Sequence, residues 1–284
     1  MKMKKLLIIL IVAVFFTPPA AILRSMAVMS VYSAIHQKDS IPAKEGFKIK
    51  IPGGLKTLKR DWYPFVMTFN DNKGFQNFCG DDGLSLTILY NFPAFSLFKG
   101  CSYLFDPSSP YCSSFYGAYI VHDLDGAYGF NSDGSIDYSV VSQVPEFDMA
   151  YLVLSDFGLS NMIFDWRIEN FYDNISYIEY NGWSQFDIAM EVSSAVHNPD
   201  GFSISYLQYG FPNFKTDKNF EPLDMYGRIY VRYFEEYSSS VFFYIIAADK
   251  QVLDNCDSEI LSQSKIVKIP KRRVQSFQVS ETRR

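Results

Sequence analysis

Residues 228–247 read RIYVRYFEEYSSSVFFYIIA, and this stretch decides the fold. Arg228 to Phe234 has the composition of a strand, Glu235 to Ser239 that of a turn, and Val241 to Ala247 is almost wholly apolar. Two such runs joined by a short polar link predict an antiparallel hairpin, with the apolar second strand in the middle of a sheet. Asp249 then caps a helix in which Val252, Leu253, Cys256 and Ile260 make the buried stripe.

Upstream, the same reasoning predicts strands at Phe47–Ile51, within Trp62–Phe69, at Leu84–Tyr90 and at Gly117–Val121. Leu84, Leu86 and Ile88 share a face by period two. Asn70 to Gly74 reads as a turn, and Pro52-Gly53-Gly54 stops the first strand. Asn131-Ser132-Asp133-Gly134 predicts a hairpin turn between Ala127–Phe130 and Ser135–Val141. The continuous apolar run Met149–Leu154 suits a buried strand, and Phe202–Tyr209 alternates like another. Helical spacing is read at Asn161–Tyr172 and after Ser184, which stands as an N-cap with Asp187 at the capping-box distance and Ile188, Val192 and Ala195 on one side. The sum is an α+β domain over residues 46–264, a mostly antiparallel sheet with a few helices packed on one face. Two lobes split near residue 160 are the alternative.

The chain has 284 residues, 48% hydrophobic and 20% charged, enough to bury a sizeable core and too apolar for disorder. Its 20 Tyr and 26 Phe fit either a strand-rich core or an aromatic-lined groove. The net charge of -5 is unevenly spread. Residues 1–30 carry Lys2, Lys4, Lys5 and Arg24 without an acid, and residues 265–284 are strongly basic against Glu281 alone, so the body between them is acidic. That acidity argues against nucleic acid as a partner, because phosphate binding needs Lys and Arg.

The N-terminus places three lysines before an unbroken apolar run from Leu6 to Phe16. A run this short resembles the core of a signal peptide, and Ser25-Met26-Ala27 offers a small-x-small cut site. An uncleaved anchor from Leu6 to Leu23 competes with it. The expected order is therefore a signal or anchor at 1–27, a linker at 28–45, the domain, and a flexible basic tail at 265–284. Either reading sends the body out of the cytoplasm, and an uncleaved segment would hold it to the membrane. Export makes disulfides permissible, and the four cysteines favour Cys101–Cys112 across a Pro-rich loop and Cys79–Cys256 beside it.

One polar cluster invites chemistry. His122, Asp123 and Asp125 follow a strand, and His122 is the candidate general base with either Asp as orienter or acid. Asn131, Asp133 and Asp137 imitate the middle of a calcium loop, but the first ligand position falls on Gly129 and the twelfth on Val140, where a Glu belongs. Turn chemistry accounts for the same residues, since Asp, Asn and Gly accept tight-turn geometry. His36 lies in the expected linker and His197 beside Asn198-Pro199 at a helix end. No nucleophile elbow, zinc-protease motif or phosphate loop occurs. Two functions are left. One is an extracytoplasmic binding, structural or accessory domain whose aromatics or sheet edge recognise an envelope component or partner protein. The other is an envelope hydrolase using His122, with calcium as a conceivable aid.

Overall fold

The computed structural model describes residues 20–57, 60–96, 101–154, 163–193 and 222–269, and the isolated positions 4, 5, 7, 9 and 12. The hairpin expected at 228–247 is present as β9 (Leu223–Phe234) and β10 (Ser239–Ala247). β10 is the fourth strand of a seven-stranded antiparallel sheet, between β9 and β6 (Phe115–Asp123). Beyond β6 come β3 (Leu84–Asn91) and β2 (Met67–Asn70), while β4 (Phe95–Ser96) and β5 (Cys101–Ser102) pair apart from this sheet. Beyond β9 come β8 (Tyr180–Val192) and β7 (Phe164–Tyr177).

Every residue of β10 is buried, because both faces of the sheet are covered. Phe242, Tyr244 and Ile246 enter one core with Leu86, Ile88, Tyr119 and Val231. Val241, Phe243 and Ile245 enter the other with Ile120, Tyr230 and Trp183. The first core is closed by α1 (Ala21–Lys38), α3 (Asn72–Cys79) and a helical run of α4 (Tyr138–Val141), α5 (Gln143–Phe147) and a π-helical turn (Asp148–Val153). The second is closed by α2 (Ile41–Glu45), by α6 (Lys250–Glu259) and by a two-stranded ribbon of β1 (Phe47–Lys50) and β11 (Lys265–Lys268). The α+β class stands, with helices on both faces rather than one.

Several expectations are corrected. Asn161–Tyr172 and Ser184–Val192 are not helices; their described parts are the paired strands β7 and β8. Trp183, Phe186, Ile188, Met190 and Val192 are all buried, but Trp183 enters one core and the other four enter the opposite one, as alternation requires. Ser184 donates its hydroxyl to Asp173 instead of capping, and Asp187 receives the Arg228 guanidinium at 2.8 Å. Met149–Leu154 is helical, not a strand. Asn70–Gly74 leads into α3, with the Asp71 carboxylate accepting from Gly74 N at 2.9 Å. The basic tail begins as β11, and its later residues, like Phe202–Tyr209, Ala195 and His197, lie outside the described residues.

The expected linker is also corrected, since its residues fall in the later part of α1 and in α2. The cut site Ser25-Met26-Ala27 falls inside α1, where Ser25 and Met29 are buried against the first core. Among the described residues, no helix is long and apolar enough to cross a membrane. α1 serves the outer edge of β2: Ser33 Oγ accepts from Thr68 N at 2.9 Å and His36 Nδ1 from Asn70 N at 3.2 Å. His36 is thus held as a neutral acceptor, and burial lowers its pKa.

The disulfides fall too. Cys79 and Cys256 are free thiols, and no disulfide is found among the described residues. Cys79 packs on the first core and Cys256 lies in the second, so the sheet separates the two.

Candidate binding groove

Period two sends Phe164, Trp166 and Ile168 of β7 to the same side of the sheet as Phe186, Ile188 and Met190 of β8. Ile229 and Ile246 continue this floor toward the middle of the sheet. The opposite wall is the α4–α5–π run, contributing Tyr138, Val141, Ser142, Pro145, Glu146 and Met149. Between floor and wall lies a groove with about 620 Å³ of empty space, counting its part open to solvent.

The local sequence explains both sides. Asp137 caps α4, its carboxylate accepting from Ser139 N at 3.0 Å and Val140 N at 3.3 Å, and this turns the chain from a tight loop into the wall. On the floor, Gly227 stands opposite Ile188 in the β8–β9 register. A Cβ there would sit 2.8 Å from Ile188 Cγ1, so the glycine leaves the space in which Ile188 lies. The mouth is aromatic: Tyr138 meets Phe171 and Phe186 edge-on at 5.3 and 5.8 Å between centroids. Tyr138 and Ile168 are well exposed there.

Among the described lining residues, Glu146 carries the one formal charge, and no imidazole, thiol, amine or guanidinium joins it. A surface of this kind holds apolar matter by burial.

Directly behind the wall sits Asp148, fully buried in the π-helical turn. Its carboxyl accepts hydroxyls from Tyr90 and from Tyr119, the latter at 2.6 Å. Tyr119 stacks on Tyr244 at 4.1 Å. Burial pushes the Asp148 pKa up to about 7, and the two hydroxyls only partly oppose it.

The expected polar residues occupy a different place. His122 closes β6, and its Nδ1 lies 2.7 Å from the carbonyl of Ser238. A carbonyl only accepts, so Nδ1 carries the proton. Asp123 turns back on its own chain, accepting from Asp125 N at 2.9 Å, and Asp125 is exposed. Asp133 accepts from Ser135 N at 2.9 Å and from Ser135 Oγ at 2.6 Å, which holds its pKa below the usual carboxylate value. Asn131 donates to Ser135 Oγ at 3.0 Å, and Asp137, at the cap of α4, is likewise lowered by Ser139. In place of the expected hairpin, one bridge from Phe130 to Ile136 closes this turn and α4 follows at once. The carboxylates of Asp123, Asp133 and Asp137 are thus engaged in local turn bonds. Among the described residues no three His, Cys, Asp or Glu side chains gather where they could hold a metal ion. Of the thiols, Cys79 is pushed up to about 11 and Cys256 well above the ordinary value, both chiefly by burial, which leaves neither as a ready nucleophile.

Sequence reasoning missed the groove because it read both floor strands as helices. The alternation of Phe186, Ile188, Met190 and Val192 was the available signal. Comparison with protein-family models, curated proteins and solved structures finds no match to this chain.

Proposed function

We propose that this chain is a binding or accessory module whose groove takes an apolar ligand, of the class of an acyl chain or a comparable extended hydrocarbon. The observation that carries this reading is the groove itself, open between the β7–β10 floor and the α4–π wall and lined almost wholly by apolar side chains. Trp166 on the floor is a built-in reporter. Medium-chain fatty acids titrated into the full chain should shift or quench tryptophan emission saturably, and Trp166→Phe should remove that signal. No response, or one that survives Trp166→Phe, would count against the groove as the ligand site. A hydrolase built on His122 has no comparable support, since the described contact of the imidazole is to the Ser238 carbonyl and that of the Asp123 carboxylate is to the Asp125 amide.

A further inference from the structure

The two edges of the main sheet are treated differently. α1 covers β2 and satisfies the outward N–H groups of Thr68 and Asn70. Among the described residues nothing pairs with the outer edge of β7, although it is the longest strand of the sheet. Edges of this kind are pairing sites unless blunted.

The first part of β7 has a self-complementary sequence, Phe164-Asp165-Trp166-Arg167-Ile168. It pairs with Val192 to Ile188 of β8 without a register shift, and the first bulge comes only after Ile168. Ser193 N donates to Ile163 O at 3.0 Å, which marks that pair as hydrogen-bonded. Alternation then turns the backbone N–H and C=O of Phe164, Trp166 and Ile168 away from β8, toward the open edge.

We propose that this edge pairs antiparallel with the same edge of a second copy of the chain, about a two-fold axis at Trp166. In that register Trp166 lies opposite its counterpart, and Phe164 lies opposite Ile168. The backbone groups of these residues are the outward ones, so each pair exchanges hydrogen bonds. Asp165 lies opposite Arg167 on the other face, and the symmetry makes that ion pair twice. Both side chains are presented for it: Asp165 is exposed, and the Arg167 side chain is 75% exposed with only a loose 3.6 Å contact to Glu169. The association runs groove to groove, because Phe164, Trp166 and Ile168 are floor residues in each copy. The contact is short, so the dimer is weak and concentration-dependent.

Sedimentation velocity on the full chain over a hundredfold concentration range tests this, with circular dichroism to confirm that each variant is folded. A monomer–dimer equilibrium is expected. Arg167→Asp, which sets like charges opposite each other, should weaken it at least about tenfold. Adding Asp165→Arg to that variant should restore it. A monomer at every concentration, a dimer indifferent to Arg167→Asp, or one that the double reversal fails to restore would overturn the proposal.

Discussion

At the scale of single residues, Asp148 is the position with the most pronounced consequence. A fully buried carboxyl between two tyrosine hydroxyls binds its proton more tightly in the folded chain than in the unfolded one. The sign follows from proton counts. Between the ordinary value of 3.8 and the folded value of about 7, the native state holds the extra proton, so stability falls as pH rises through that window. The contribution is fully present below the window and gone above it, a change on the order of 4 kcal/mol. Asp133 and Asp137 shift the other way, their stabilising effect being lost as pH falls. The clean observable is therefore a difference between variants. Asp148→Asn should flatten the decline in urea-unfolding free energy from about pH 4 to pH 7. Parallel curves for both proteins would show that Asp148 does not titrate there.

At the scale of elements, the hairpin of β7 and β8 carries the most information. Its turn places Ile178 at φ 41° and Glu179 at φ 71°, both in the left-handed region that tight hairpins require and that side chains resist. Ile178 is retained by packing, being buried in the second core. Glu179 is exposed and makes only a loose contact to Lys265. Glu179→Gly should therefore stabilise the chain by about 1 kcal/mol, read as a rise of a few degrees in thermal midpoint. An unchanged or lower midpoint would mean the turn is not under strain. The same hairpin shows where sequence reading succeeds and fails. β3, β9 and α6 were legible because each combines one dominant period with clear stops, and β6 and β10 because aromatic and β-branched residues fill a short run bounded by turn residues. β8 was not, because Ile188 and Val192 are spaced by four, a separation that helix and strand both place on one face. The run Met149–Leu154 is ambiguous for a related reason: continuous apolar residues carry no period at all. The turn residues from His122 to Asp137 were legible as turns, and their carboxylates make the local bonds that turn chemistry predicts.

At the scale of the whole molecule, α1 belongs to the body of the protein. It buries Arg24, Ser25 and Met29 and supplies the acceptors for the β2 edge. A chain starting at Val28 would lose the first seven of the 18 residues of that helix. It is expected to melt several degrees lower than the full chain and to expose more apolar surface to a dye, both measurable by thermal scanning; equal midpoints would show the segment to be dispensable. The groove beside β7 is an apolar opening of the described structure, and both functional inferences above rest on its floor residues. The most direct test is a binding titration of a fluorescent fatty acid into the full chain, repeated with Gly227→Val, which crowds the floor at Ile188, and with Tyr138→Asp, which places a charge at the mouth. The account predicts saturable binding weakened at least about tenfold by each substitution. Saturable binding that neither substitution changes, or no binding by the intact chain, would contradict it.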